Sequence, residues 1–181
     1  MIDVPDELVV SLRTHGGAEG RVFAEALPGL AAAYLDAWGL RLDGPAMYGL
    51  CALVLPVVRE DGSGAALKLQ RVDEETAGEP VALRAWGEAG AGAVGLLEHD
   101  PDTGVMLLER LDERRPLTGV GDARAAVRVL AESLSRLVRV PAPPGMRGLG
   151  DVAARMLEAA PREAALLAGC LLYTSPSPRD S

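Results

Sequence analysis

The chain has 181 residues, 49% of them hydrophobic, with a formal net charge of −8 and a pI near 4.8. That length buries one sizeable core, or one lobe and part of another, and the acidic balance, 3% aromatic content and absence of basic runs argue against a nucleic-acid or anionic-membrane partner. No apolar run reaches about 18 residues and the acidic start, MIDVPDE, has neither the basic nor the apolar stretch of a secretion signal, so a cytoplasmic location is expected.

Residues 5–38 are predicted to be helical. Pro5 suits a first turn, Leu8, Val9 and Leu12 share a face, and His15, Gly16 and Gly17 end that helix. Val22, Phe23, Ala26 and Leu27 continue the period up to Pro28, which is expected to start a new helix carrying Leu30, Ala33, Tyr34, Ala37 and Trp38 until Gly39 stops it. His15, beside two glycines and with no ligand partner in sequence, reads as a solvated loop histidine.

From Leu40 the pattern becomes strand-like: LRLDG is short and alternating, and Gly49 to Val58 is nearly continuous in apolar residues before the Asp61–Gly64 turn. Pro56 lacks a backbone donor and is expected at a bulge or on an unpaired strand side. A strand ending in Leu69 completes the hairpin, followed by a helix over Asp73–Ala89 whose main part starts near Gly78, with Pro80 in its first turn and Ala82, Leu83 and Trp86 turned inward. Strands over Ala93–Glu98 and Val105–Arg110, joined by HDPDTG, bring the count to five. Helical spacing returns over Asp122–Val138, where Leu130, Leu134 and Leu137 on the apolar stripe are expected to be left exposed, and over Asp151–Leu167 after the PAPPG linker. The class is α+β.

Within the hairpin stands Lys68, the sole lysine among the 18 Lys and Arg residues. A compact ammonium differs from a planar guanidinium fork, and in an apolar strand it suits a phosphate; a snorkelling strand lysine is the alternative. Glu79, at the N-terminal end of the next helix, is favoured there by the helix dipole and could reach back to Lys68, or merely cap the helix. Other chemistries find less support. Gly90, Gly92 and Gly95 match G-x-G-x-x-G, but a helix precedes them and a strand follows, the reverse of a dinucleotide-binding turn. His15 and His99 have no nucleophile in frame, and Cys51 and Cys170 have no metal-ligand spacing and read as inert thiols. Lys68, Glu79 and the apolar fifth strand VMLLER are parts that phosphoryl transfer needs: an ammonium for nucleotide phosphates, a carboxylate to fix it, and exposed backbone to pair with adenine.

From about Leu27 to Leu117 the sequence resembles the aminoglycoside phosphotransferase superfamily, in particular its streptomycin 6-kinase and hydroxyurea-phosphotransferase branch. The matching pieces are LPGLAAAYLDAWGLRLDGP, ALVLPVVREDGSGAALKLQ, GEPVALRAW, GAGAVGLLEHD and MLLERLD, in the family's order. The resemblance implies a protein-kinase-like N-terminal lobe: a five-stranded antiparallel sheet with a helix carrying Glu79, preceded by the N-terminal helices and followed by the first helices of an incomplete C-terminal lobe. It implies that Lys68 contacts the ATP α- and β-phosphates, that Glu79 pairs with Lys68, that the Glu109 carbonyl and Leu111 amide form the adenine hinge, and that Gly49 lies in the phosphate-covering turn. The family's catalytic aspartate, in a His-Gly-Asp type loop, and its magnesium-binding aspartate belong to the C-terminal lobe; no such motif occurs in these residues.

The expected division is N-terminal helices over 1–39, an ATP-binding lobe over 40–111, a hinge exit and helical start of the second lobe over 112–168, and a tail over 170–181, CLLYTSPSPRDS, that looks like translated adapter sequence. The resulting expectation is a truncated, inactive piece of an ATP-dependent kinase that uses Mg2+ at full length, phosphorylates an alcohol group of an aminoglycoside and confers resistance. A non-catalytic α+β binding module, with Lys68 and Glu79 as a structural ion pair, is the alternative.

Overall fold

The computed structural model describes residues 2–112 and 114–171. Residues 1–143 form one compact unit and 144–181 a second. In the first, helix α1 spans Asp6–Ala37, with Asp6 and Glu7 at the positive end of its dipole. Gly17 breaks it (φ 57°, ψ −134°), a conformation that a side chain would oppose. Three residues later Gly20 passes so close to the first half that a Cβ there would lie 2.0 Å from the Leu12 carbonyl oxygen. The break is therefore at Gly17, and Pro28, expected to begin a new helix, lies inside α1. His15 sits on the first half rather than in a loop, its Nδ1 3.0 Å from the Ser11 carbonyl. Gly39 (φ 59°) ends the helix as expected, with Leu40 N–H donating to Leu35 O at 2.8 Å.

Six short strands form one antiparallel sheet: β1 (Arg41–Leu42), β2 (Met47–Tyr48), β3 (Ala52–Val58), β4 (Gly64–Gln70), β5 (Leu96–His99) and β6 (Met106–Glu109). Their order is β1-β3-β4-β6-β5, and β2 pairs with the same edge of β3 as β1 does. Five of these were expected; β2 is the sixth, hidden because Met47–Tyr48 is too short to show alternation. Pro56 pairs with Ala66 in the continuous β3–β4 ladder, and its carbonyl accepts from Asp43 N–H at 2.9 Å on the other side. Its missing donor thus falls where the β1 pairing runs out, the unpaired-side alternative rather than a bulge. Gly62 (φ 83°) turns the β3–β4 hairpin, and Asp61 accepts from the Ser63 amide at 2.8 Å.

Alternation along the strands divides the core. One sheet face sends Leu53, Leu55, Val57, Leu67, Leu69, Val105 and Leu107 against Leu8, Leu12, Ala24, Leu27 and Ala31 of α1. Each fully buried leucine contributes roughly 1.5–3 kcal/mol, several times a surface ion pair's roughly 0–1 kcal/mol, so this layer sets the fold. The opposite face carries Met106, Leu108 and Ala66, packed by Leu83 and Trp86 of α2 (Glu79–Glu88). As expected, α2 has Pro80 in its first turn; residues 73–78, expected as helix, are turns instead. The glycines at 90, 92 and 95 lie between α2 and β5, the reversed order that the sequence indicated.

Helix α3 (Ala123–Leu137) is capped by Asp122, whose carboxylate accepts from Arg124 N–H at 2.9 Å. Trp86 Nε1–H donates to the Leu137 carbonyl at 3.2 Å, joining α2 to the end of α3. Leu130 and Leu134 of its apolar stripe are exposed, and Leu137 is half-buried. In the second unit α4 spans Leu149–Leu171, longer at both ends than the expected helix. Cys170 and Leu171 of the suspected foreign tail continue α4, and 172–181 lie outside the described residues.

Candidate functional site

Lys68 occupies the middle of β4, between Val54 on β3 and Met106 on β6. Leu67 and Leu69 turn into the α1 core, so alternation directs Lys68 to the face shared with Ala66 and Gln70. Across this face stands the first turn of α2. Lys68 Nζ donates to Glu79 Oε1 at 2.5 Å, and the two side chains are 19% and 30% exposed. The second carboxylate oxygen, Oε2, accepts from Gln70 Nε2 at 2.6 Å. Glu79 therefore has each oxygen held by a different residue of one strand. Sequence reasoning missed Gln70, although its i+2 spacing from Lys68 on a strand was the available signal.

The approach of α2 is fixed by the connection from β4. Asp73 Oδ1 accepts from the Glu75 and Thr76 amides at 2.9 and 3.0 Å, and the Thr76 hydroxyl donates to the Arg71 carbonyl at 2.7 Å. Burial pushes the Asp73 carboxyl up, but the Thr76 and Glu75 amides outweigh it and hold it below the usual carboxylate value. Arg71 pairs with Glu19 of α1 and, at 3.4 Å, with Asp73. On the far side of Gln70, a cavity of about 370 Å³ is lined by Thr76, Pro80, Arg84 and His99. Burial, with Arg84 second, holds the His99 imidazole below its ordinary value.

The other expected site residues lie at the two ends of β4. Gly49 is exposed in the β2–β3 turn, where its amide donates to Ala52 O at 3.0 Å, and Ala52 pairs with Gln70. Ser11 Oγ donates to the Leu50 carbonyl at 2.6 Å and tethers this turn to α1. Cys51, expected in a strand, is exposed in the same turn. At the opposite end Glu109 closes β6 beside Ala65, three residues or about 10 Å along β4 from Lys68. Its carboxylate accepts from Gly95 N–H at 3.0 Å, its own N–H donates to Gly95 O at 2.8 Å, and Leu111 beyond it is 62% exposed. Arg110 pairs with Asp43 at 3.2 Å and fastens the exit of β6 to the β1–β2 connection. The structure thus brings Lys68, Glu79 and Gln70 into contact and sets Gly49 and Glu109 on either side of them. A cavity of about 870 Å³ lined by Pro28, Leu35, Leu40 and Glu60 lies elsewhere, between α1 and the β3–β4 end of the sheet.

A mixed fold of helices and antiparallel sheet, with a strand lysine paired to a helix carboxylate over an apolar sheet face, has the parts of a kinase-like N-terminal region. The profile of a family described as aminoglycoside/hydroxyurea antibiotic resistance kinase matches residues 37–177. The chain belongs to that family. It is 58% identical over 170 residues to a hydroxyurea phosphotransferase of Kitasatospora aureofaciens, covering 93% of this chain and 49% of the relative. Streptomycin 6-kinases of Streptomyces glaucescens and Streptomyces griseus are 49% and 51% identical, over 93% and 88% of this chain and 54% and 52% of their own. The chain spans about half the length of the curated relatives it matches.

Among the described residues no group of three His, Cys, Asp or Glu side chains is placed to hold a metal ion, and no helix is long and apolar enough to cross a membrane.

Proposed function

We propose that this chain carries the nucleotide-binding part of an ATP-dependent phosphotransferase acting on an alcohol group of a streptomycin-type aminoglycoside, and so conferring resistance. The observation that carries the reading is the Lys68–Glu79 pair on the sheet face that also carries the apolar residues Ala66, Met106 and Leu108. In this reading residues 40–111 are the ATP-binding lobe, 1–39 its N-terminal helices and 112–168 the start of a helical second lobe. Ala66, Val54 and Leu108 make the apolar floor for adenine. Lys68 holds the α- and β-phosphates by charge-assisted hydrogen bonds, and Glu79 keeps its ammonium from wandering. The Glu109 carbonyl and Leu111 amide take the adenine edge, and the Gly49 turn covers the phosphates. ATP fits these residues. Mg2+ finds no cluster of carboxylates among those described, and the 181 residues contain no His-Gly-Asp loop. No transfer step is therefore assigned to these residues, and this chain by itself is expected to bind ATP without turning it over.

A second acceptor is favoured by one comparison: the hydroxyurea phosphotransferase shares 58% identity, against 49% and 51% for the streptomycin kinases. The N-hydroxyl of hydroxyurea would accept the same phosphoryl group, and the lobe of 40–111 would be used alike for either.

Substituting Lys68→Met tests the nucleotide reading. ATP affinity, measured by calorimetry, should fall roughly tenfold or more, the scale of losing a charge-assisted hydrogen bond, with little change in melting temperature. A structural ion pair predicts the reverse: a lowered melting temperature and unchanged affinity.

A further inference from the structure

We propose that Gln70 is a positioning residue for Lys68, acting through Glu79; the purpose of that positioning rests on the nucleotide reading above. A glutamate at the start of a helix has several staggered rotamers open to it, and Glu79, 30% exposed, is not confined by packing alone. Two donors from β4 confine it instead. Gln70 Nε2 takes Oε2 at 2.6 Å and Lys68 Nζ takes Oε1 at 2.5 Å, so the carboxylate can neither rotate nor swing without breaking a bond. Gln70 is 5% exposed, in contrast to its partner. If Glu79 turned toward solvent, the amide donor of Gln70 would be left buried without a partner, a cost that an exposed glutamine would escape. The strand makes this possible, because residues two apart share a face and lie about 6.6 Å from each other. An aliphatic residue at position 70 would fill the same space and leave Glu79 with one tether.

Lys68 is the sole lysine of the chain, so its reactivity can be read without interference from another. The full chain, its Gln70→Met variant, Glu79→Ala and the double variant are treated with an amine-acylating reagent, and the Lys68 peptide is followed by mass spectrometry. Gln70→Met should raise the acylation rate of Lys68 roughly threefold to tenfold by loosening the carboxylate that holds the ammonium. In the Glu79→Ala background the same substitution should change it by less than about 1.5-fold, since the route from Gln70 to Lys68 is gone. A rate in Gln70→Met within about 1.5-fold of the parent overturns the proposal, as does an equal effect in both backgrounds. Gln70→Leu provides a second apolar replacement, and failure of both variants to fold overturns the proposal in favour of a purely structural glutamine. ATP affinity in the same four proteins keeps the two readings apart: altered acylation with unchanged affinity upholds the action of Gln70 on Lys68 and overturns the nucleotide site.

Discussion

His99 closes β5 beside the cavity behind α2, where burial and the neighbouring Arg84 disfavour its protonated form, and Asp100 opposes them. The unfolded chain takes up this proton near pH 6.5, the ordinary histidine value. Because the folded value is depressed, the stability associated with a neutral His99 is present above about pH 6.5 and is lost as the pH falls through the folded value. The urea midpoint should therefore be lower at about pH 5.5 than at about pH 7.5, and His99→Gln should remove most of the difference. Equal midpoints in the parent would contradict this. Asp100, lowered first by the Tyr34 hydroxyl and next by the Asp102 amide, acts in a separate window below about pH 4. At this scale the sequence made Lys68 and Glu79 legible for different reasons, one by rarity of type and one by helix position. Gln70 belonged to neither category. Its role arises from burial beside a carboxylate, which strand alternation permits but does not reveal.

The two halves of α1 cross where Gly20 meets the backbone of Leu12. Gly20→Ala would force a methyl group into a carbonyl oxygen, and since neither partner is a flexible side chain the helix must shift. Overpacking of this kind costs roughly 1–3 kcal/mol or more, a fall of roughly 3–10 °C in melting temperature for a chain of this size. A melting temperature within about 1 °C of the parent would show that α1 tolerates the methyl. The same helix illustrates what the sequence could and could not disclose. Its apolar period, its start and its stop at Gly39 were all legible. Its break at Gly17 was legible too; what was not is that the helix runs on through Pro28, because proline's fixed φ is itself helical and costs a helix one hydrogen bond, whereas glycine can leave helical space altogether. Pro28 therefore remained inside α1, and Gly17 took the turn. In α2, Pro80 and Glu79 are both first-turn residues and put the start of its main part within a residue of the observed one, while the helix expected over 73–78 is replaced by turns. The two-residue strand β2 owes its existence to the edge of β3 rather than to a pattern of its own, whereas β1 on the same edge showed in the alternation of LRLDG.

At the scale of the whole molecule, a buried leucine-rich face against α1 fixes the sheet, and the other face is left with one short helix and a charged pair. That asymmetry leaves Lys68 and Glu79 partly exposed on the second face. The family and the mixed class of the fold could be read from the order of motifs, because strand lysine, helix glutamate and the strand ending in Glu109 are local signals in fixed succession. The exposure of Leu130 and Leu134 was expected as well, although Leu137 of the same stripe is half-buried. The central claim is that ATP lies over this face with its phosphates at Lys68. Its most direct test is an adenosine analogue bearing a 5′-fluorosulfonylbenzoyl group, which places a sulfonylating electrophile where the phosphates would be. With one lysine in the chain, the account predicts a single sulfonylated lysine peptide, that of Lys68, and its suppression by ATP. Absence of modification at Lys68, or modification that ATP does not suppress, would contradict it.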